Sequence, residues 1–147
     1  MYLLDTNVIS ELRKPSRNAG VERWLTRVAP SSLYLSTLTV GELEHGVVRL
    51  ELANDPRASE LRVWVDGLQR IYRRRILRIT RKVARQWGNI VAREPMQLEH
   101  MVDTYLAATS LVHGMTLVTR NVQDFTATGC LVHNPFSGSG PLGDRSA

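Results

Sequence analysis

Residues 2–7, Tyr-Leu-Leu-Asp-Thr-Asn, join a short apolar run directly to three polar side chains. A run that ends this way predicts a buried strand that finishes at a polar edge of a sheet. Ligands and ions in open α/β sheets lie outside the carboxyl ends of the strands, so Asp5 is placed for chemistry. The alternative is that Asp5, Thr6 or Asn7 only caps a helix over residues 8–14.

The alternation of a short apolar run with an amphipathic segment continues along the chain. Strands that alternate with helices predict a parallel sheet, because each helical connection crosses back over one face of it. We therefore expect an α/β fold with a central parallel sheet of four or five short strands flanked by helices. The predicted strands cover residues 2–4, 33–36, 76–79 and 115–119, with a fifth at 131–132, and the predicted helices cover 8–14, 21–28, 39–50, 57–75, 80–93 and 102–113.

The length of the chain limits the number of domains. A chain of 147 residues with 43% hydrophobic side chains can bury one continuous core but hardly two. We expect a single domain over residues 1–136. The segment 137–147 contains Gly and Ser without a core-facing pattern, so we expect a disordered tail there.

The charge balance favours a polyanionic partner such as nucleic acid, because 19 Lys and Arg against 14 Asp and Glu leave a net charge of +5. The single cysteine, Cys130, cannot form an internal disulfide, and no charged-then-apolar leader is recognisable at Met1, so we expect a cytoplasmic location. The longest apolar run, residues 106–118, is interrupted by polar residues and is shorter than the ~20 apolar residues of a membrane span. We expect no membrane association.

The sequence also argues against several kinds of enzyme. The four histidines have no metal-ligand spacing with one another, and no serine or cysteine lies in a nucleophile-elbow context. A hydrolase with a covalent triad is therefore not indicated. One cysteine cannot form a cysteine-based metal cluster.

A run of cations lies at the end of the fourth predicted helix and beyond it. Cations late in a helix are favoured by its dipole and are usually only solvated. A surface that contacts phosphates or an acidic partner is the second interpretation. The run consists of Arg70, Arg73, Arg74, Arg75, Arg78, Arg81, Lys82 and Arg85.

Two further acids are predicted at the same edge of the sheet as Asp5. Glu42 lies near the start of the helix after the second strand, although Thr39 and Glu42 also fit a capping box. Asp103 begins a nearly apolar helix that Gly114 ends just before the fourth strand. This helix and the strand run antiparallel, so the start of the helix lies level with the end of the strand.

Asn121 and Asp124 follow the fourth strand and are predicted close to this edge as well. Capping explains each acid alone, but converging carboxylates repel, by about 4 kcal/mol for a pair ~4 Å apart at an effective dielectric near ~20. A bound cation is the natural remedy, and an all-oxygen site favours magnesium or manganese. A basic protein with such a site fits the hydrolysis of a phosphodiester by a metal-activated water.

Four sequence segments together carry a family resemblance: Leu-Leu-Asp-Thr-Asn at 3–7, Thr-Val-Gly-Glu-Leu-Glu-His-Gly at 39–46, Asp-Thr-Tyr-Leu-Ala-Ala-Thr at 103–109, and Thr-Leu-Val-Thr-Arg-Asn-Val-Gln-Asp-Phe at 116–125. In this order they resemble the PIN-domain ribonucleases, specifically the VapC toxins of type II toxin–antitoxin systems. The resemblance extends from Tyr2 to about Phe136. It implies a three-layer PIN fold, magnesium-dependent endoribonuclease activity on structured RNA such as tRNA or rRNA, a VapB-like antitoxin, and a homodimer.

The resemblance also implies roles for individual acids. Asp5 and Asp103 match the two acids most often assigned as metal ligands, and Glu42 matches a third active-site acid. Many relatives have an acid where this chain has Asn121. Either Asp124 therefore completes the quartet, or Asn121 supports the site as a neutral hydrogen-bonding group.

The polar neighbours of these acids are the remaining site candidates. Thr6, Asn7 and Thr119 match polar positions that usually line the pocket. Arg120 lies beside the predicted edge, and we expect it to contact a phosphate. The stretch 94–101 departs from the Gly- or Pro-containing loop that often precedes the position of Asp103 in the family, which leaves the shape of this loop open.

Two alternatives come from other functional classes. Phosphoacceptor domains of the haloacid-dehalogenase kind need a second Asp where this chain has Asn7, and response regulators need an adjacent acid pair and a late lysine that are not found. A catalytically inactive PIN-type module that binds RNA or a partner remains open, because the sequence does not reveal whether the acids bind metal.

Overall fold

The computed structural model describes residues 1–93 and 100–137. The predicted disordered tail, 137–147, lies outside these residues except for Ser137. The predicted end of a helix at Glu94 and Pro95 and most of the loop before Asp103 also lie outside them.

Five short parallel strands form the central sheet, which confirms the predicted α/β fold. The strand order is β3-β2-β1-β4-β5, so that β1 lies in the middle. In this register Leu3 lies opposite Tyr34 on one side and Leu117 on the other. The strands are β1 (Tyr2–Leu4), β2 (Leu33–Ser36), β3 (Ile76–Leu77), β4 (Thr116–Val118) and β5 (Val132–His133).

Helices connect the strands and cover both faces of the sheet. Gly114 ends the last α-helix in the left-handed conformation (φ 61°), as its position in the sequence predicts. Among the described residues, no helix is long and apolar enough to span a membrane. The α-helices are α1 (Thr6–Leu12), α2 (Ala19–Leu25), α3 (Thr37–Leu52), α4 (Ala58–Tyr72), α5 (Arg81–Val91) and α6 (Met101–His113), and short 3-10 helices cover Pro30–Ser32, Val122–Thr128 and Pro135–Ser137.

The alternative interpretation of Thr39 and Glu42 as a capping box is wrong. Helix α3 begins immediately after β2, and the Ser36 side chain accepts the hydrogen bond of the Leu38 N–H. Thr39 therefore lies inside the first turn of α3, where its hydroxyl donates to the Leu4 carbonyl at 3.4 Å. Since Ser36 already caps α3, the Glu42 side chain is not needed for capping, and its carboxylate can interact with residues at the carboxyl edge of the sheet.

The core consists of two apolar layers, one on each face of the sheet. Leu3 and Leu4, which are adjacent on β1, are both fully buried and belong to different layers. This follows from the alternation of side chains along a strand and requires cover on both faces. The central strand is thus held by packing from both sides, which fixes the position at which Asp5 leaves the sheet.

Arg75 fixes the beginning of β3. Its guanidinium donates to the carbonyls of Pro30 and Leu33 at 2.6 and 2.7 Å and lies 4.5 Å from the centre of the Tyr72 ring. Arg75, although part of the cation run, therefore stabilises the fold at the amino end of β3.

Gly20 provides a test of the packing between α2 and the last described segment. A Cβ at this position would lie 2.2 Å from the Pro135 carbonyl oxygen, so we expect Gly20→Ala to lower the free energy of unfolding by about 1–3 kcal/mol. Gly67→Ala, in the middle of α4 with no atom within 4 Å of the added Cβ, is the matched control and should raise it by about 0.5–1 kcal/mol. Urea denaturation of both variants measures the difference, and a change of the same sign in both would contradict this packing.

Candidate active site

Asp5 directly follows the carboxyl end of β1 and is surrounded by hydrogen-bond donors. Its backbone N–H donates to Val118 O at 3.0 Å, which extends the β1–β4 pairing by one residue. Its carboxylate is 6% exposed and accepts from the Thr6 N–H, the Asn7 side-chain amide and the Thr119 hydroxyl, each at 2.6 Å. Asp5 therefore does cap α1, and the same carboxylate also lies at the site.

Burial raises the pKa of the Asp5 carboxyl above its usual value. The hydrogen bonds from Thr119, Thr6 and Asn7 act in the opposite direction, and the negative charge of Asp124 raises the pKa further. The three donors thus offset part of the cost of holding a carboxylate inside the protein.

Asn7 and Thr119 tie the end of β4 to the start of α1. The Asn7 amide donates to Thr119 Oγ1 at 3.0 Å, and its carbonyl accepts from the Arg120 N–H at 3.1 Å. The Thr119 hydroxyl donates to Asp5 and accepts from the Asn121 N–H at 3.0 Å. The structure therefore places Thr6, Asn7 and Thr119, all predicted to line a pocket, directly around the Asp5 carboxylate.

Glu42 faces the same cluster from the first half of α3. Its half-buried carboxylate accepts a short hydrogen bond from the Thr6 hydroxyl. Burial raises the pKa of Glu42, the Thr6 hydroxyl lowers it, and the charge of Asp5 raises it again. Thr6 consequently joins two acids, because its N–H binds Asp5 and its hydroxyl binds Glu42.

Asp103 lies in the first turn of α6 and interacts with all three of the other acids. Its pKa is raised to about 6, first by burial and then by the charges of Asp5, Asp124 and Glu42. His100, whose Nδ1 lies 3.8 Å from Asp103 Oδ2, acts in the opposite direction. The acids predicted at one edge of the sheet are thus close enough to repel one another.

The fourth acid remains a choice between two residues. Asp124 is exposed in the first turn of the 3-10 helix Val122–Thr128, and its charge acts on Asp5 and Asp103. Asn121 is linked through its backbone, since its N–H donates to Thr119 and its carbonyl accepts from the Asp124 N–H at 3.3 Å. Both lie beside the site, and the role of each stays a prediction.

Arg120 has neighbours that the sequence does not reveal. Its guanidinium lies 4.0 Å from the centre of the Phe136 ring and 3.7 Å from Glu11, while its side chain is 52% exposed. Glu11 is buried and also accepts from the Asn18 N–H at 2.8 Å and pairs with Lys14 at 2.7 Å. Hydrogen bonding from Lys14 and from the Asn18 N–H, together with the nearby charges of Lys14 and Arg120, lowers the pKa of Glu11.

Glu11 is the supporting residue that sequence reasoning missed. It lies on α1 near the buried Val8 and Ile9, and from the sequence alone it would be taken for an ordinary surface acid. Its partners Asn18 and Arg120 come from other elements, so no local pattern identifies it.

The donor set of the site suits a hard divalent ion, because its charged groups are carboxylates and the surrounding groups are hydroxyls and amides. Among the residues that the structure describes, no three Asp, Glu, His or Cys side chains come together closely enough to hold a metal ion. The pKa of Asp103 is raised first by burial and then by the charges of Asp5, Asp124 and Glu42, and a bound cation would offset that repulsion.

The raised pKa of Asp103 leads to a prediction about stability without metal. A carboxyl whose pKa is about 6 in the folded protein, against 3.8 ordinarily, stabilises the fold when protonated and loses this contribution as the pH rises through about 6. In buffer with a chelator, we expect Asp103→Asn to be more stable than the wild type at pH 8 by about 1–2 kcal/mol, a figure reduced for solvent screening, and equally stable below about pH 4.

Chemical denaturation across this pH range measures the difference. Asp66→Asn, which changes an exposed acid of α4, is the control and should leave the pH dependence unchanged. If the stability of Asp103→Asn depends on pH in the same way as that of the wild type, the proposed repulsion at Asp103 is contradicted.

Comparison with known proteins places the chain in a family. The PIN domain family model matches residues 2–129. The toxin FitB of Neisseria gonorrhoeae is 34% identical over 139 residues, which cover 92% of this chain and 99% of FitB. The plasmid stability protein StbB of Pseudomonas syringae pv. tomato is 33% identical with the same coverage, and the VapC ribonuclease Y4jK of Sinorhizobium fredii is 30% identical over 92% of this chain and 98% of its own.

Solved structures agree with these sequence relatives. The crystal structure of FitAcB from Neisseria gonorrhoeae superimposes with a TM-score of 0.81 at 34% identity and covers 92% of this chain and 99% of that chain. A structure of FitAB bound to the IR36 DNA fragment gives a TM-score of 0.73 at 31% identity, with 92% and 96% covered. The family model over residues 2–129, the sequence relatives and the superimposed structures together show that this chain belongs to the PIN-domain family.

Proposed function

We propose that this protein is a magnesium-dependent endoribonuclease that acts as the toxin of a type II toxin–antitoxin system. The observation that carries the proposal is the convergence of Asp5, Glu42, Asp103 and Asp124, whose charges act on one another at the carboxyl edge of the sheet. A relative named as a VapC ribonuclease and another named as a toxin, each matched over 92% of this chain, support a nuclease in this family.

In this proposal Asp5 and Asp103 hold the metal ion. Magnesium is often bound in proteins by one or two carboxylates, with water and phosphate oxygens as the other ligands, and manganese can substitute. A bound ion of this kind supplies an activated water and neutralises charge on the scissile phosphate. Asn7 and Thr119 orient the carboxylate of Asp5, since both donate to its Oδ2.

Glu42 is the candidate for handling the proton of the attacking water. Its Oε2 is held by the Thr6 hydroxyl, and among the described hydrogen bonds its Oε1 is not engaged. The raised pKa makes the carboxylate a better proton acceptor than an exposed glutamate. Thr6 is then a positioning residue, because it orients both Asp5 and Glu42.

The substrate and the partner follow from the same proposal. We expect structured RNA, such as tRNA or rRNA, as the substrate, and a VapB-like antitoxin as the partner of a homodimer in the cytoplasm. The related FitAB, 31% identical to this chain, has a structure determined with the IR36 DNA fragment bound.

A catalytically inactive PIN module that binds RNA or a partner is the second candidate. The family match fits this candidate as well, because it identifies the domain and not its activity. A chelator separates the two candidates: it should abolish RNA cleavage while RNA binding persists. A protein that binds RNA and cleaves none with magnesium or manganese would be the inactive module.

Asp5→Asn and Asp103→Asn test the roles of the acids. Each removes a charged ligand and keeps the shape of the side chain, so we expect cleavage to fall by at least about a hundredfold while the protein stays folded. Sequencing of RNA ends after brief expression reads both activity and target, with Asp66→Asn as the control for an exposed acid. Full activity of either site variant would remove that residue from the mechanism.

Arg120→Ala tests the expected phosphate contact. Since the Arg120 side chain is half exposed with its guanidinium beside Phe136, we expect the dependence of RNA binding on salt concentration to fall by about 0.7–0.9 in log–log slope in this variant. Fluorescence anisotropy at a series of salt concentrations measures this slope. An unchanged slope would assign Arg120 to the structural contacts with Glu11 and Phe136 alone.

A further inference from the structure

The positive charge of the protein is concentrated in one segment. Residues 67–93 contain nine Lys and Arg and no Asp or Glu, whereas the other residues contain ten Lys and Arg and 14 Asp and Glu. The net positive charge of the whole chain therefore originates from this segment, which covers the end of α4, β3 and α5.

The structure divides these cations between the two ends of β3. Arg70, Arg73 and Arg74 are exposed on the amino-terminal side. In the sequence they lie next to Arg75, whose guanidinium binds the Pro30 carbonyl. The others follow the carboxyl end of β3 and are also exposed. We call them the α5 basic surface, and they are Arg78, Arg81, Lys82 and Arg85.

The α5 basic surface begins at the same edge of the sheet as the acids. In the parallel pairing of β2 and β3, Leu77 lies opposite Ser36, and Ser36 is the residue that caps α3. Arg78 follows Leu77 directly, just as α3 with Glu42 follows Ser36. Parallel strands end at one edge, so the cations and the carboxylates share it.

Helix α5 is also fixed against the start of α6, where Asp103 lies. The Trp87 ring stacks on the Tyr105 ring with the centroids 4.7 Å apart and the planes 3° from parallel. The Trp87 Nε1–H donates to the hydroxyl of Thr104, the residue after Asp103, at 3.1 Å. The position of the basic surface relative to Asp103 is therefore set by packing.

The placement of these cations is unfavourable for the isolated protein. Arg81 and Lys82 lie in the first turn of α5, whose N-terminus carries partial positive charge, and that turn contains no acid. Arg81 and Arg85 are four residues apart on the helix, a spacing at which like charges repel. None of the four cations pairs with a carboxylate within the described ranges 1–93 and 100–137. A bound polyanion would offset this repulsion.

We propose that the α5 basic surface binds the phosphodiester backbone of the RNA next to the scissile bond. This rests on the proposed function for the identity of the substrate, and it adds the surface along which that substrate is held. One guanidinium group can donate two parallel hydrogen bonds to the oxygens of one phosphate. Arginines spaced along an exposed helix can therefore bind successive phosphates of a backbone. The acids would then bind the reacting phosphate through the metal, while the cations bind its neighbours.

The test compares two triple variants that remove the same charge. Arg81→Gln, Lys82→Gln and Arg85→Gln together remove three of the four charges of the α5 basic surface. Arg70→Gln, Arg73→Gln and Arg74→Gln remove three charges at the other end of β3. Binding of a fluorescently labelled RNA stem-loop is measured by anisotropy in a chelator over a series of potassium chloride concentrations. We expect the first variant to lower the log–log salt slope by about 2–3 and to weaken binding at least about tenfold, and the second to retain the wild-type slope.

Several results would overturn the proposal. These are an unchanged slope in the α5 variant, an equal loss in both variants, or intact RNA binding together with loss of antitoxin binding, which would assign the surface to an acidic partner. Because binding is measured without metal, it is independent of catalysis. A wild type that binds RNA through α5 and cleaves none would remove the proposed function and leave the RNA surface in place.

Lys82→Glu separates loss of binding from loss of folding. An acid in the first turn of α5 is favoured by the helix dipole, so we expect the Tm to rise by about 1–3 °C while RNA binding weakens. Weaker binding accompanied by a lower Tm would contradict the proposal, because it would trace the effect to the fold.

Discussion

Four carboxylates share the carboxyl edge of one small sheet, and the surrounding structure has to hold them there against their mutual repulsion. Two of them receive compensation within the protein: Asp5 accepts from three donors, and Glu42 accepts from the Thr6 hydroxyl. Asp103 has a pKa of about 6, which is raised first by burial and then by the charges of the other three acids. A divalent ion bound at this edge would relieve the repulsion that the protein's own groups leave uncompensated.

The parallel arrangement of the strands is what brings these acids together. Asp5 leaves β1, Glu42 lies on the helix after β2, and Asp124 lies on the 3-10 helix after β4, while Asp103 begins the helix that leads into β4. Each acid thus depends on a different element, and the common edge exists only while the register of the sheet is kept. The hydrogen bonds of Asn7 and Thr119 add a direct link between the segments after β1 and β4.

The sequence predicts the parts of this arrangement that depend on short-range patterns. An apolar run followed by Asp5 predicts a strand end, and Gly114 predicts the end of the helix that begins near Asp103. The capping box at Thr39 does not form because Ser36, the last residue of β2, already caps the helix that begins at Thr37. Glu11 and the order of the strands could not be predicted, since both depend on contacts between segments far apart in the chain. The cation run is continuous in the sequence, yet the structure divides it between the end of α4, where the helix dipole favours positive charge, and the start of α5, where it does not.

The central position of β1 has a consequence for the motions of the protein. A strand paired on both sides and buried on both faces opens only when the domain unfolds as a whole, so its amide protons should be among the slowest to exchange with solvent. Asp5 is attached to this rigid part, whereas Asp124 is carried by an exposed 3-10 helix. When an ion or a phosphate enters, the outer acids can therefore adjust their distances around a stationary Asp5, which serves as the reference point for the geometry of the reaction.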